Sequence, residues 1–153
     1  MKIQKVMFGA GCFWGVQTAF DKIKGVVRTQ VGYSGGQFKN PSYEDVCDSN
    51  TGHAEVVLIE FDPSVIKYEK LLEIFWKIHD PTQFNRQGPD FGTQYRSVIF
   101  YFSEEQKILA EKSKKHVQKN FEKKIATLIE SAKEFYKAEE YHQKYNEKNG
   151  NVC

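Results

Sequence analysis

Within the first 25 residues the apolar pattern changes from strand-like alternation to helical spacing, and the change falls on Gly11-Cys12-Phe13-Trp14-Gly15. Ile3, Val6 and Phe8 alternate imperfectly with polar residues over Lys2 to Ala10, which predicts a strand. Val16, Ala19, Phe20 and Ile23 then recur at helical spacing until Gly25 stops the run. Gly9 and Gly11 permit a tight turn between the two elements. Cys12 therefore sits at or just before a first helical turn. Free backbone N–H groups and the positive end of the helix dipole favour the thiolate there, and the thiolate is the nucleophilic form. A cysteine at such a junction can equally be a small core residue, since Cys is among the most buried residue types. Phe13 and Trp14 bear on that choice, because adjacent aromatics in a first turn point in different directions. One of them is expected to wall a pocket beside the sulfur.

The rest of the chain reads as a single domain over residues 1–153, a common domain size. Its 22 basic and 20 acidic residues give no electrostatic case for a nucleic-acid or membrane-surface partner. Lys-Ile-Gln-Lys-Val at the start lacks the apolar stretch of a signal peptide, and no membrane-length apolar run follows, so a cytoplasmic location is expected. Three cysteines without a CxxC suggest neither a disulfide scaffold nor a zinc ribbon. The histidines His53, His79, His116 and His142 fit no metal-ligand spacing, so no metal and no other cofactor is expected.

Val26 to Tyr33 alternates as a strand ending at Ser34-Gly35-Gly36. Ala54 to Phe61 is apolar on both faces, as a central strand demands, and Asp62-Pro63 ends it. Tyr68, Leu71, Leu72, Phe75 and Ile78 trace a helical face. Ser97 to Phe102 is another apolar strand, Ser103 with Gln106 resembles a capping box opening a helix to Phe121, and Ile125 to Glu130 is a last strand. A further helix is expected over Glu139 to Lys148, followed by a flexible tail, residues 149–153, that carries Cys153. This order predicts an α+β fold, a two-layer plait with a ferredoxin-like core, its helices covering one face of a mixed, mainly antiparallel sheet. Two polar stretches, Gln37 to Gly52 and Asp80 to Tyr95, are too long to be mere connections.

Four blocks, in order, resemble the A-type peptide methionine sulfoxide reductase family. Gly-Cys-Phe-Trp-Gly resembles its active-site motif and Gly52-His53-Ala54-Glu55 its acidic motif. Ser42-Tyr43-Glu44-Asp45-Val46-Cys47 and Asp90-Phe91-Gly92-Thr93-Gln94-Tyr95-Arg96-Ser97 resemble its two tyrosine segments. The likeness runs from about Val6 to about Tyr145. It implies reduction of methionine-S-sulfoxide, free or in proteins, as repair after oxidative damage, with thioredoxin as the reductant.

That reaction needs a soft nucleophile on sulfur and a proton for the departing oxygen. Cys12 suits the first role. Glu55 suits the second, since it opens an otherwise apolar strand where desolvation favours the protonated acid. The resemblance adds Tyr43 and Tyr95 as hydrogen-bond donors to the developing oxyanion, and Phe13 and Trp14 as an apolar cage for the substrate methyl group. Asp90 resembles a residue near the substrate main chain, although an aspartate in such a loop is commonly turn chemistry. Cys153 is expected to deliver a resolving thiol from the tail. Cys47, one helical turn after Tyr43, is expected to pack. His142, in Glu140-Tyr141-His142-Gln143, has no assigned role. Seven lysines between Lys107 and Lys124, interleaved with Glu111 and Glu122, read as a solvated helix face. Two other readings are an RNA-binding plait and a thiol peroxidase. Near-neutral charge and strands apolar on both faces oppose the first. The second would want an Arg or Thr beside Cys12, where an aromatic pair stands.

Overall fold

A computed structural model describes residues 2–47, 51–145 and 148. In chain order the elements are β1 (Gln4–Ala10), α1 (Phe13–Asp21), β2 (Val26–Ser34), α2 (Tyr43–Cys47), β3 (Ala54–Phe61) and α3 (Tyr68–Lys77). The two-residue strands β4 (Arg86–Gln87) and β5 (Asp90–Phe91) follow, then β6 (Ser97–Tyr101), α4 (Glu104–Gln118), β7 (Leu128–Ser131) and β8 (Tyr136–Lys137). Single 3-10 turns lie at Thr93–Tyr95 and Glu140–His142.

Six strands form one sheet in the order β7-β6-β1-β3-β2-β8, and β4 with β5 forms a separate hairpin. Every pairing in the large sheet is antiparallel except β6 with β7. A mixed, mainly antiparallel sheet with helices is therefore present, as the hydrophobic pattern predicts. Alternation sorts its side chains. Val6 and Phe8 of β1 with Val57 and Ile59 of β3 pack against Phe20 of α1, Leu72 and Phe75 of α3 and Ala110 of α4. Met7, Val56, Val98 and Phe100 lie in a second cluster, covered by Ala132 and Phe135. Both faces of the central strands are thus buried, which is why they read as continuous apolar runs.

Three assignments depart most from the sequence reading. The helix opened by Ser103, whose hydroxyl accepts the Gln106 N–H, stops at Gln118 instead of Phe121. The Gln118 side chain takes over the next backbone groups, donating to the carbonyls of Phe121 and Lys123 and accepting the Ile125 N–H at 2.8 Å. The following strand accordingly begins at Leu128, not Ile125. Glu139 to Lys148 is not one helix. It divides after the Glu140–His142 turn, where Gln143 is extended and Lys144 has φ 55°. The Gln143 amide instead completes the β2 backbone, accepting from the Val31 N–H at 2.9 Å and donating to the Val31 carbonyl at 3.0 Å.

Candidate active site

Cys12 is the N-cap residue of α1, half-buried, one residue beyond the end of β1 plus a single glycine. Gly11 has φ +96°, and a Cβ added there would stand 2.9 Å from Cβ and Cγ of Gln87. Gln87 in turn pins the β4–β5 hairpin. Its amide accepts the Asp80 N–H at 2.8 Å and donates to the Asp80 carbonyl at 2.9 Å. Cys12, Gly15, Val16, Gln87 and Asp90 line one cleft of about 700 Å³. Gly11→Ala should therefore cost about 1–2 kcal/mol from the backbone conformation alone, and more from the contact with Gln87. Denaturant unfolding checks the first quantity, and the KM of the variant reports the displaced hairpin.

Glu55 is the second residue of β3, on the same face as Val57 and Ile59, and is 1 % exposed. Its carboxyl oxygen accepts the backbone N–H of Phe13 at 3.2 Å. This is one of the amides that a helix start leaves without an intrahelical partner. A buried acid is thereby tied to the residue after Cys12. Tyr33 lies opposite Glu55 in the β2–β3 register.

Tyr43 opens α2, and Tyr95 closes the 3-10 turn Thr93–Tyr95. Burial above all, with the Glu55 carboxyl next, holds the Tyr43 phenol well above its ordinary range. The same two causes, joined by Asp90 and Cys47, push Tyr95 up to about 12. Both therefore keep their protons at neutral pH and can donate. The loops that carry them are anchored by the half-buried Arg96 and the buried His53. Arg96 donates through Nη1 to the Thr93 carbonyl at 2.8 Å and through Nη2 to the Gly52 carbonyl at 3.0 Å, linking the Tyr95 turn to the approach to β3. His53 Nδ1 accepts the Gly36 N–H at 3.0 Å. A Cβ on Gly36 would come within 2.3 Å of the Thr51 carbonyl, so only glycine allows these two segments to meet.

Phe13 and Trp14 diverge as expected of a first helical turn. Phe13 is 1 % exposed, its ring 5.7 Å from Tyr33 and 6.5 Å from Tyr43. Trp14 is half-buried and stacks on Tyr145 with centroids 3.8 Å apart and planes 10° apart. The chain segment after β8 ties α1, α2 and β2 together. Glu139 accepts the Tyr43 N–H at 3.2 Å and stands 3.4 Å from the Tyr33 hydroxyl, and Lys144 N–H donates to Gln17 of α1.

Of the residues singled out in the sequence, Cys12 and Asp90 share the cleft and Glu55 bonds to the residue after Cys12. Phe13, Trp14, Tyr43 and Tyr95 belong to the surrounding loops and first helical turn. Cys153 lies outside the described residues. Cys47 differs from expectation. It is exposed, not packed, and its sulfur is one of the groups that hold the Tyr43 phenol above its ordinary range. Val46 takes the buried position of this five-residue helix, and Cys47 after it is left on the exposed side. Sequence reasoning did not find Gln87, Glu139, Gln143 or Tyr145, and the last three act through contacts distant in sequence. The only available signal for the last three was the Glu140-Tyr141-His142-Gln143 block.

A half-buried thiol that opens onto a cleft at a helix start, a buried carboxyl bonded to the adjoining residue and two protonated phenols within its electrostatic reach define a cysteine-dependent enzyme. A family profile described as peptide methionine sulfoxide reductase matches residues 4–153. The peptide methionine sulfoxide reductase MsrA of Methanothermobacter thermautotrophicus is 59 % identical over 150 residues, covering 97 % of this chain and 89 % of that protein. The reduced form of Mxr1 from Saccharomyces cerevisiae superimposes with a TM-score of 0.95 at 40 % identity, covering 99 % of this chain and 88 % of the other. Mxr1 in complex with Trx2 superimposes with a TM-score of 0.68 at 29 % identity, covering 99 % and 86 %. The chain belongs to the peptide methionine sulfoxide reductase family.

Proposed function

We propose that this protein reduces methionine-S-sulfoxide, free or within proteins, to methionine, with Cys12 as nucleophile, Glu55 as acid, and Tyr43 and Tyr95 as donors to the oxygen. The observation that supports this reading is the 3.2 Å bond from the Phe13 amide to the Glu55 carboxyl, which ties a buried acid to the residue after Cys12. The Cys12 thiolate attacks the sulfoxide sulfur while Glu55 delivers a proton to the oxygen. Oxygen passes to the cysteine, which becomes a sulfenic acid, and methionine leaves as the thioether. Phe13 and Trp14 supply apolar area and sulfur–aromatic contact for the substrate methyl, and Asp90, which lines a cleft with Cys12, takes the substrate's main-chain side. Epimer-resolved reduction of a methionine sulfoxide dipeptide with dithiothreitol tests the reading. Consumption of the S epimer alone is expected, and turnover of neither epimer, or of both equally, contradicts it.

The sulfenic acid must then be resolved. Condensation with a second thiol gives a disulfide and water, and a dithiol reductant restores both cysteines. We assign the second thiol to Cys153. Tyr145 stacks on Trp14, and the eight residues from there to position 153 span at most about 28 Å when extended, enough to return to Cys12. Thioredoxin as that reductant is supported by the Trx2 complex of the yeast relative. Cys153→Ser should keep one turnover, accumulate sulfenic acid and lose thioredoxin-supported cycling, whereas Cys47→Ser should behave like the parent. Peptide mass mapping after one equivalent of sulfoxide is the check. A Cys12–Cys47 linkage in the parent would reassign the resolving residue to the exposed thiol beside Tyr43.

The same reading takes β1-α1-β2 and β3-α3-β6, interleaved in the strand order β6-β1-β3-β2, as a ferredoxin-like plait. It places the protein in the cytoplasm, where a thioredoxin system keeps thiols reduced; cell fractionation tests the location. Among the described residues no helix is long and apolar enough to cross a membrane.

A further inference from the structure

The turn Glu140–His142 carries a buried side chain that the reduction steps do not use. His142 is 0 % exposed, and the Trp14 indole N–H donates to its Nδ1 at 3.0 Å. An indole N–H can only donate, so Nδ1 is the unprotonated nitrogen and the ring is the neutral tautomer with its proton on Nε2. Nε2 is buried without a hydrogen-bond partner among the described residues. The ring lies 4.4 Å from Tyr43, 5.4 Å from Phe13 and 4.0 Å from Tyr141, centroid to centroid. Burial lowers its pKa against the opposing pull of Glu139, in keeping with a neutral ring. A phenyl ring would fill this space without leaving a buried N–H unsatisfied. What the imidazole offers in return is the acceptor at Nδ1.

That acceptor acts on a side chain two residues from Cys12. Tyr145 supports one face of the Trp14 indole, at 3.8 Å and 10°. Stacking alone leaves a ring free to slide and rotate in its plane. A hydrogen bond at the indole edge removes that freedom.

We propose that His142 is a positioning residue for substrate binding: by accepting the indole N–H it fixes Trp14 as the wall of the sulfoxide pocket. The inference rests on Trp14 forming that wall, as proposed above. It predicts that His142 influences the docking of the substrate and not the chemical step, because it reaches the substrate only through Trp14.

Two replacements separate the ring from its acceptor. His142→Phe keeps the aromatic contacts and removes the acceptor. His142→Asn loses the ring but places Oδ1 where Nδ1 was. The readouts are the hydrogen exchange of the two indole N–H groups by ¹⁵N NMR and single-turnover kinetics on N-acetyl methionine sulfoxide. Trp76, whose N–H donates to Ser113 Oγ at 2.7 Å, is the internal reference. In His142→Phe the Trp14 N–H should lose protection while Trp76 keeps it. The half-saturating sulfoxide concentration should rise about tenfold, as expected for one lost hydrogen bond, with the limiting rate changed less than about twofold. His142→Asn should restore protection and bring half-saturation within about threefold of the parent.

A His142→Phe protein with parental half-saturation, or with its loss in the limiting rate instead, overturns the inference, provided Trp14→Leu itself weakens binding. Should Trp14→Leu bind sulfoxide as the parent does, the wall assignment falls and this inference falls with it. Where His142→Phe does not fold, His142→Asn decides alone. Parental protection and half-saturation support the role of the acceptor, and loss of both overturns it.

Discussion

Cys12→Ser should abolish sulfoxide reduction outright, including the single equivalent of methionine released in the absence of a reductant. The serine hydroxyl is a hard nucleophile and remains protonated near neutral pH. Without a general base it gains nothing from the position that favours a thiolate. No partial rescue is expected, because the reaction transfers oxygen to the attacking atom and serine has no counterpart of the sulfenic acid. The variant is unusually clean as a control. Cys12 is the N-cap of α1 and its side chain makes no cap hydrogen bond. Serine is among the preferred N-cap residues, replacing poor caps with a gain of about 1 kcal/mol. The variant should thus melt at or above the parental temperature while losing all activity, so unfolding cannot explain the loss. Quantifying methionine after mixing enzyme and S-sulfoxide in equimolar amounts, beside a thermal melt, is the decisive pair of measurements. Even one equivalent of methionine from Cys12→Ser would remove the thiolate from the mechanism.

The parts of this fold that repeat within a few residues are legible in the chain. β1, β3 and α3 announce themselves through alternation, a doubly buried run and a 3.6-residue stripe. Gly11 and Cys12 mark a junction whose glycine is required by a φ of +96°. The parts that escape are fixed by side chains acting at long range. α2 has five residues and each strand of the β4–β5 hairpin has two, too few for any period to register. The segment after β8 looks like a helix because Glu139, Glu140 and Lys144 are good helix formers. Its conformation is set instead by Gln143 bonding to Val31, 112 positions away. The site follows the same rule. Cys12, Phe13 and Trp14 are visible because one turn holds them together. Glu55 needs the strand assignment and the chemistry of the sulfoxide to be noticed at all. Tyr43 and Tyr95 stand out from eight tyrosines only through the matching blocks. His142 reaches Trp14 across 128 positions, and only the folded chain shows what it holds.

Glu55→Gln should slow the chemical step by about 10²-fold to 10⁴-fold, the range of general acid catalysis. Position is not what this variant changes. A glutamine oxygen can still accept the Phe13 N–H that the carboxyl now accepts at 3.2 Å, and the side chain has nearly the same volume in a site only 1 % exposed. What it loses is the transferable proton. Oxide cannot leave sulfur unprotonated, so the amide can polarise the S–O bond but cannot complete its cleavage. Desolvation favours the neutral acid in the parent. The parental single-turnover rate should therefore fall as pH rises and the carboxyl ionises, and this limb should be missing from the Gln variant. The phenols act on the same oxygen by donation alone. Burial holds the Tyr43 and Tyr95 phenols above their ordinary range, so both remain protonated throughout neutral pH. Tyr43→Phe with Tyr95→Phe should cost a comparable factor to Glu55→Gln, each single change should cost less, and neither should remove the pH limb. Rapid-quench measurement of methionine formation across neutral pH distinguishes these roles. A Glu55→Gln enzyme with the parental rate and pH profile would leave Glu55 as a structural ligand of the Phe13 amide, and the proton would have to come from the tyrosines or from solvent.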